Sequence, residues 1–357
     1  MRSSTSPLPI ARVALCCALF GCQPTPPPVH VPDERRVTNE RADSAVNRDS
    51  STAVIDAGAV RIRPARRAEF RVERVAGLDA TRMFAISAEA LYRVRDGRWE
   101  QLALDGGVAR DVIAIRNALW VLVEGRGDND GRALILRSND GDSLEPVWVL
   151  SQPVGADAGR WSPRALAMRG GSWVIAGARP SLARVEAGGA RVEFDSENTR
   201  YVRAYGLQDD SVVCTREDGD LDVVRYGTRS TVVSDGLLAG VFDPEGFGYV
   251  VHEDGSVWRG RPAKELRRVV NAASFEPRAA AMLRDGRVAL VGAGGPVAVS
   301  RGASWHVVPG DWPTEPVAII ASEPPLVVAR DGLVVAVEGQ GRTVVRPGIS
   351  GASDETL

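Results

Sequence analysis

The sequence predicts an all-β protein, a seven-bladed β-propeller of four-stranded antiparallel blades, preceded by a signal peptide and a disordered tether. Short apolar runs rich in valine and alanine alternate with glycine turns from about residue 70 to residue 346. Asp-Gly dipeptides punctuate these runs, and apolar alternation bounded by Asp-Gly is a strong hairpin signal. One strand type also recurs about every 40 residues, which indicates a repeat architecture.

The recurring strand predicts the number of blades. Its first residues are separated by intervals of 37, 53, 39, 36, 40 and 38 residues, and they are Arg82, Leu119, Ser172, Ser211, Phe247, Arg287 and Pro325. Each unit reads as four strands. In the second unit they are DVIAI, LWVLV, ALILR and PVWVL, and in the third unit they are RALAMR, SWVIAG, SLARVE and ARVEF. A sheet of this size cannot bury both faces alone, so copies pack around an axis. A single β-sandwich is the alternative, and the near-equal periods favour the propeller.

The second interval is longer than the others. We attribute its extra length to a loop around Asp128 to Pro146, within the segment GRGDNDGRALILRSNDGDSLEP. The predicted propeller then occupies residues 69–348, and residues 349–357 form a flexible tail.

Residues 1–21 are predicted to be an export signal. Two arginines precede an apolar run from Val13 to Phe20, which is too short to span a bilayer as a mature helix. The stretch Leu19-Phe20-Gly21-Cys22 resembles the lipobox of bacterial lipoproteins. This resemblance implies lipidation of Cys22, which would anchor the mature chain in the membrane, and the following Gln23 implies the outer membrane. An ordinary secretory signal cut nearby is the alternative.

Residues 22–68 are rich in proline and charge and lack sustained apolar periodicity, so they are predicted to form a disordered tether.

The formal net charge of the chain is −2, which gives no electrostatic reason to expect nucleic acid as a partner. Lys264 is the single lysine, and the sequence has no phosphate-binding GxxxxGK loop. Cys214 lies in an alternating apolar run, which favours a buried strand cysteine over a nucleophile.

Two turns resemble the Asp-box of propeller repeats of the bacterial neuraminidase type. In VSRGASWHVV (299–308), Gly302, Ser304 and Trp305 match that motif, and Ser300 stands where the family has aspartate. The segment RSNDGDS (137–143) offers Ser138 and Asp140 but has no tryptophan at the expected place. The resemblance extends to lipid-anchored propellers and to the photosystem assembly-factor type. Such motifs brace a hairpin, so they do not imply an enzyme.

Arginines recur at the start of the predicted inner strands, on the face that also carries the loops between the second and third strands. They are Arg110, Arg164, Arg203 and Arg278. A ring of arginines at one mouth of the channel suits bidentate capture of a carboxylate or phosphate. The alternative is that each arginine braces neighbouring blades by pairing with a loop carboxylate. The candidate carboxylates are Asp128, Asp130, Glu217, Asp218, Glu253 and Asp254. Tyr201, Tyr205 and Trp161 are candidates for lining the same mouth.

No catalytic residue, metal site or cofactor is predicted. The histidines His30, His252 and His306 are far apart and form no ligand cluster. The sequence therefore favours a non-catalytic binding scaffold in the bacterial cell envelope, with a protein or an anionic glycan as partner. The alternative is a hydrolase or lyase that acts on an extracellular or envelope polysaccharide through the arginine-lined mouth.

Overall fold

The predicted β-propeller is confirmed. The computed structural model describes residues 61–64, 70–127, 130–156, 161–233, 237–243, 245–252, 256–262, 264–269, 276–301, 304–309, 315–338, 341–345 and 348–349. The described residues form seven antiparallel sheets of four strands each, one of which gains two further strands at its outer edge. The predicted signal peptide, Cys22 and most of the predicted tether lie outside the described residues. No helix among the residues described here is long and apolar enough to cross a membrane.

The strands follow the chain blade by blade. A first strand, β1 (Arg61–Pro64), precedes blade 1, which consists of β2 (Arg74–Gly77), β3 (Met83–Ser87), β4 (Ala90–Arg95) and β5 (Arg98–Ala103). Blade 2 consists of β6 (Gly107–Ile115), β7 (Ala118–Gly125), β8 (Ala133–Ser138) and β9 (Glu145–Leu150). Blade 3 consists of β10 (Pro163–Arg169), β11 (Ser172–Gly177), β12 (Leu182–Glu186) and β13 (Gly189–Phe194). Blade 4 consists of β14 (Tyr201–Gly206), β15 (Ser211–Arg216), β16 (Leu221–Arg225) and β17 (Thr228–Val233).

The last three blades have the same order. Blade 5 consists of β18 (Leu237–Phe242), β19 (Gly248–His252), β20 (Val257–Arg261) and β21 (Glu265–Arg268). Blade 6 consists of β22 (Pro277–Met282), β23 (Val288–Gly292), β24 (Val297–Arg301) and β25 (Ser304–Val308). Blade 7 consists of β26 (Pro316–Ile320), β27 (Leu326–Ala329), β28 (Val334–Glu338) and β29 (Gly341–Val345), and a two-residue strand, β30 (Gly348–Ile349), follows. Each blade is a meander whose first strand is the innermost.

Tight turns connect the strands where the sequence supplies residues that tolerate positive φ. Between β4 and β5, Asp96 and Gly97 have φ values of +50° and +69°, as a type I′ hairpin turn requires. The β6–β7 turn uses the same geometry with Arg116 and Asn117. Asn and Asp adopt this conformation more readily than most side chains, so Asp-Gly and Asn in the sequence mark real turns.

The core consists of apolar layers between successive blades. The second strands carry the most buried positions, and every residue of β7 is buried. Both faces of each middle strand are covered because a neighbouring blade lies on each side. Between blades 2 and 3, the rings of Trp120 and Trp173 lie 4.5 Å apart, centroid to centroid. Blade-to-blade burial is therefore the main source of stability, as expected for stacked repeats.

Blade 7 closes the ring against blade 1 through hydrogen bonds and apolar contacts. The backbone N–H of Val72 donates to the carbonyl of Arg330, and the indole N–H of Trp99 donates to the carbonyl of Gly332 at 2.9 Å. Around these bonds, Phe70, Val72, Met83 and Trp99 of the first blade region form one buried cluster with apolar side chains of blade 7. The four strands of each blade come from one continuous segment, so hydrogen bonds and apolar packing between blades hold the ring closed.

The outer edge of blade 1 is covered by both ends of the described chain. Strand β1 pairs antiparallel with β5, and β30 pairs parallel with it. Residues 61–64 belong to the segment predicted as tether, so regular structure begins earlier than the sequence predicts. The predicted strand ALILR within the long second interval is confirmed, since it lies in β8 (Ala133–Ser138), but the extra length of this interval is not confined to the loop around Asp128 to Pro146. Further extra residues connect β9 to β10, and there Val154 pairs parallel with Arg191 of β13.

Candidate functional site

The inner strands line a central channel with a volume of about 490 Å³. Most of its wall consists of small or aliphatic residues, such as the alanines at 279–281 in β22. Four arginines also line it, and they are Arg116, Arg203, Arg278 and Arg284. No aspartate or glutamate is among its described lining residues. The channel wall is therefore apolar along its length and cationic at its ends.

The arginines stand at both ends of the channel. Arg203 and Arg278 lie near the starts of inner strands, at the end of the channel where the sequence predicts an arginine ring. Arg116 and Arg284 follow the ends of the inner strands of blades 2 and 6, in the turns to the second strands. Arg116 and Arg284 were not predicted from the sequence, because they lie in turns whose polar residues are ordinary solvent-facing positions.

A bulge at the start of the inner strands sets which arginines are equivalent. In blade 2, Ala109 and Asp111 oppose consecutive residues of β7, so Arg110 is the additional, unpaired residue. The register skips Arg164 in blade 3 and Arg278 in blade 6 in the same way. In blade 4 the skipped residue is Val202, and Arg203 is paired with Thr215. The predicted equivalence of the four arginines therefore needs correction, because Arg203 lies one position later and corresponds to Asp111.

Arg110 braces blades 1 and 2. Its Nε donates to Oε2 of Glu124 at 2.6 Å, and its Nη1 donates to Oε1 of Glu89 at 2.6 Å. Glu89 lies in the turn between β3 and β4, so the second bond joins two blades. Partial burial alone would lower the pKa of Arg110, but the hydrogen bonds and charges of Glu124 and Glu89 outweigh burial and raise it. This geometry matches the brace alternative.

Arg164 and Arg278 also have carboxylate partners, in looser arrangements. Nη1 of Arg164 lies 3.6 Å from Oε1 of Glu217, a residue of the loop between β15 and β16 in the next blade. Nη2 of Arg278 lies 2.8 Å from Oε1 of Glu276, just before its own strand. Both pairs are partly exposed to solvent, where ion pairs contribute at most about 1 kcal/mol. Of the other predicted carboxylates, Asp128, Glu253 and Asp254 lie outside the described residues.

Arg203 differs from the other three arginines. Its side chain is exposed, and among the residues that the structure describes it has no ion-pair or hydrogen-bond partner. It lines the central channel and also a smaller adjoining cavity of about 140 Å³, in both cases beside Tyr205. A guanidinium offers five donors in a planar fork. Arg203 therefore presents unused donors to the channel.

Arg74 and Asp111 are polar residues that line the smaller cavity. Nη1 of Arg74 lies 2.7 Å from Oδ1 of Asp111, and its Nη2 donates to the carbonyl of Val202 at 2.6 Å. The other carboxylate oxygen of Asp111 accepts the backbone N–H of Leu166 at 2.8 Å. These bonds tie together blades 1 to 4 beside Arg203. The sequence analysis did not predict this pair. The feature of the sequence that indicated it was a single aspartate at the start of an otherwise apolar inner strand.

Of the three aromatic residues that the sequence offers for the mouth, one lines the cavities and two are buried elsewhere. Tyr205 lines both cavities. Tyr201 is fully buried instead, and its hydroxyl donates to Oδ2 of Asp222 at 3.0 Å. Burial, with the nearby charge of Asp222, raises the pKa of Tyr201 far above its usual range. Trp161 is also buried, in the apolar layer between blades 2 and 3.

Cys214 is fully buried in β15, as predicted from its apolar run. Burial raises the pKa of its thiol well above the usual value, so the thiol stays protonated. Within the described part of the chain, no group of three or more His, Cys, Asp or Glu residues is placed to hold a metal ion.

The two Asp-box-like turns differ in geometry. In the turn after β8, Asp140 accepts hydrogen bonds from the backbone N–H groups of Asp142 and Ser143 and from the hydroxyl groups of Ser138 and Ser143. The pKa of Asp140 lies well below its usual range, mainly because the backbone N–H of Ser143 donates a hydrogen bond to its carboxylate. In blade 6, Ser300 accepts the backbone N–H of Val288 at 2.8 Å, and Gly302 lies outside the described residues.

Known structures share this architecture at low sequence identity. No protein-family model and no curated protein sequence matches the chain. The solved structure of YCF48 bound to D1 peptide has a TM-score of 0.53 and 17% identity, and the match covers 77% of this chain and 95% of YCF48. The WD40 β-propeller domain of Doa1 has a TM-score of 0.53 and 13% identity, covering 74% of this chain and 92% of that domain.

A third similar structure is YCF48 from Cyanidioschyzon merolae, with a TM-score of 0.51, 14% identity, and coverage of 74% of this chain and 94% of that one. The chain is a β-propeller. At these identities the comparisons support the fold and do not identify a family, so the resemblance to photosystem assembly factors holds at the level of architecture.

Proposed function

We propose that the protein is an envelope lipoprotein, anchored through Cys22 in the outer membrane, whose propeller is a non-catalytic binding scaffold. The partner is a protein or an anionic glycan that places a carboxylate at the channel mouth. The observation that supports this proposal most strongly is Arg203. It is exposed and lines the channel, and among the described residues it has no partner for its guanidinium.

The surroundings of Arg203 favour an anionic ligand. Tyr205 and aliphatic side chains line the same wall, and a guanidinium beside a partly apolar wall attracts an anion more strongly than one in open solvent, because water screens it less. Arg74 is occupied by Asp111 and the carbonyl of Val202, so its charge is already compensated. At this end of the channel, Arg203 is then the arginine without a carboxylate partner among the described residues, and Arg278, which is paired with Glu276, is a second cation in the same channel.

A peptide ligand is consistent with the structural neighbours. One of the most similar solved structures is a propeller with a bound peptide, YCF48 with D1 peptide. That peptide belongs to YCF48, and at 17% identity it supports no residue-level correspondence. The free carboxylate of a peptide C-terminus and the carboxylates of a uronic-acid glycan have the same chemistry. Two probes are therefore needed to show which of these ligands binds.

Calorimetric titration with two probes tests the binding proposal. The probes are an oligogalacturonate and a neutral peptide with a free C-terminal carboxylate, the latter compared with its C-terminal amide. We expect one probe to bind, and Arg203→Gln to weaken it about tenfold or more, since hydrogen bonds to charged groups contribute about 1.5–3 kcal/mol. Arg191→Gln is the control, because Arg191 is an exposed arginine on β13 that does not line the channel.

The same samples distinguish a scaffold from an enzyme. The scaffold proposal predicts no new reducing ends or unsaturated products when the oligogalacturonate is incubated with the full-length mature protein. Turnover that Arg203→Gln abolishes while leaving the melting temperature unchanged would establish the hydrolase or lyase alternative. Absence of binding by both probes, or equal binding by the Arg203→Gln variant, would refute the channel mouth as the site.

The lipid anchor has its own test. Cys22→Ala should release the protein from the membrane fraction of the expressing cells and abolish incorporation of labelled fatty acid. Retention of Cys22→Ala in the outer membrane would contradict the anchor and leave the channel proposal unaffected.

A further inference from the structure

The outer part of blade 5 carries a concentrated positive charge. Five cationic side chains lie within ten positions of β20, β21 and the turn between them, and they are Arg259, Arg261, Lys264, Arg267 and Arg268. They surround an open groove of about 550 Å³ that includes Phe247 and one acid, Glu265. We call this surface the blade 5 basic edge. It shares no lining residue with the central channel.

The strand register places like charges opposite each other. Arg259 of β20 is paired directly with Arg267 of β21. Like charges at directly opposite positions destabilise an antiparallel pair. Glu265 compensates one of the two, because it accepts from Nε and Nη2 of Arg267 at 3.1 and 3.0 Å. The remaining four cations have no carboxylate partner among the described residues. This edge is therefore strongly positive on a chain whose formal net charge is −2.

Aromatic rings hold Arg259 in a defined position. Its guanidinium carbon lies 4.8 Å from the ring centroid of Phe247 and 5.6 Å from that of Tyr249. Cation–π stacking uses the face of the guanidinium and leaves its N–H groups free at the edge. A stacked arginine loses less conformational entropy when it binds a carboxylate than a freely rotating one. Arg259 is therefore preorganised to bind an anion.

The backbone beside these cations is also open. Strand β21 is the last strand of its sheet, and no described strand pairs with its outer edge. In blade 1 the corresponding edge is covered by β1 and β30, and in blade 3 it is covered at Val154. An uncovered outer strand presents N–H and C=O groups that another extended chain can pair with.

We propose that the blade 5 basic edge binds an acidic polypeptide segment, which adds to β21 as a further strand. Its carboxylates lie against the Arg259 guanidinium and against Nη1 of Arg267, which Glu265 does not use. The free strand edge favours a polypeptide over a polyanionic glycan, because only a polypeptide supplies alternating backbone donors and acceptors. The site is independent of the channel: it involves different residues, a different ligand geometry and a different part of the propeller.

Fluorescence anisotropy with a designed peptide tests this proposal on the full-length mature protein. The labelled peptide alternates glutamate with valine and has both ends blocked, so that it offers no terminal carboxylate to the channel. We expect it to bind, and we expect the double variant Arg259→Gln/Arg267→Gln to weaken binding about tenfold or more. Arg259→Lys should weaken it less, because lysine retains the charge but lacks the planar fork.

Four controls make the result specific. Arg191→Gln, on the outer strand of blade 3, and Arg203→Gln, in the channel, should both leave binding of this peptide unchanged. A peptide of the same sequence with N-methyl groups on alternate residues should bind much more weakly, because it cannot pair along β21. Circular dichroism should show the same melting curve for the Arg259→Lys variant and the wild type.

Any one of the following results would overturn the proposal. The first is no binding of the blocked peptide at low ionic strength, where attraction between exposed charges is least screened. The second is equal binding of the N-methylated peptide, or binding of heparin with the same dependence on Arg259 and Arg267, which would identify a general polyanion surface. The third is a loss of binding in Arg203→Gln, which would assign the acidic peptide to the channel.

Discussion

The indole N–H of Trp99, in the outer strand of blade 1, donates a hydrogen bond to the carbonyl of Gly332, in blade 7, at 2.9 Å. Trp99 is fully buried, and Gly332 occupies a turn with a φ of +85°. A Cβ at position 332 would lie 2.5 Å from the ring of Phe70 and 2.8 Å from Nε1 of Trp99. The last turn of the ring thus fits closely against the first blade, and this contact joins residues that are 233 positions apart.

Trp99→Phe should destabilise the protein by about 1–3 kcal/mol, because it leaves a buried carbonyl without its donor. The measurement is the free energy of unfolding in urea. Trp258→Phe is the matched control, since the half-buried Trp258 donates only to Ser256 within the same blade, at 3.2 Å. Equal losses for the two variants would contradict a closing role for Trp99.

Gly332→Ala should be at least as damaging as Trp99→Phe. Alanine adds strain at positive φ and a close contact with Phe70 and Trp99. Gly97→Ala is the control: it has a similar φ of +69°, but a Cβ at position 97 would have no other atom within 4 Å. A difference in unfolding free energy between the two variants measures the packing contribution, and no difference would refute it.

Arg110→Gln should lower the free energy of unfolding by about 2–3 kcal/mol, because it leaves the buried carboxylate of Glu124 without its cation. Arg203→Gln should change it by less than about 0.5 kcal/mol, since Arg203 has no partner among the described residues. Chemical denaturation of both variants checks this contrast. A larger loss for Arg203→Gln than for Arg110→Gln would reverse the assignment of brace and ligand site.

Asp111→Asn should destabilise the protein by about 3 kcal/mol, because Arg74 then keeps its charge beside a neutral amide. Adding Arg74→Gln should recover part of that loss. A double-mutant cycle on the free energy of unfolding measures the coupling between the two residues. Additive effects would show that the contact between Arg74 and Asp111 contributes no interaction energy.

Asp79 provides a pH test. Burial opposes its ionisation, but hydrogen bonds from Arg82 and Thr81 outweigh burial and lower its pKa to about 2. Because the pKa of Asp79 is lower in the folded state, its ionised carboxylate stabilises the protein at pH values above the unfolded-state pKa of about 4. This stabilisation is lost as the pH falls through about 2. The stability difference between wild type and Asp79→Asn should therefore shrink across this window. Because the side chain is 39% exposed, solvent screening keeps the effect small. A folded-state pKa near 4, measured by NMR, would contradict the prediction.

Trp305→Ala should cost about 1–2 kcal/mol. The ring is only half-buried, although it contacts Tyr249 of blade 5 with a centroid separation of 6.0 Å. The measurement is again urea denaturation. A loss below about 0.5 kcal/mol would show that this Asp-box-like turn is not braced by its tryptophan.

The blades could be predicted because their signals are local. Asp96-Gly97 requires only a neighbouring pair of residues to specify a turn, and the near-constant spacing of the second strands fixes the number of units. The strands predicted for blades 2 and 3 match β6 to β13 closely.

The site could be predicted only in part. Arg203 was predicted as a site residue, but its strand position relative to the other three arginines was not. A bulge shifts the strand by one residue, and no residue type marks the bulge. The contact of Arg74 with Asp111 joins two blades, and the closure at Gly332 joins the two ends of the ring. Both depend on how blades pack, which no local pattern encodes.

The most direct test of the central claim is the electron density of a crystal soaked with whichever probe binds in the calorimetric titration. The account predicts density for the ligand carboxylate at the channel mouth, within hydrogen-bonding distance of the Arg203 guanidinium. Density for the ligand elsewhere, with the Arg203 side chain paired to a carboxylate of the protein itself, would contradict it.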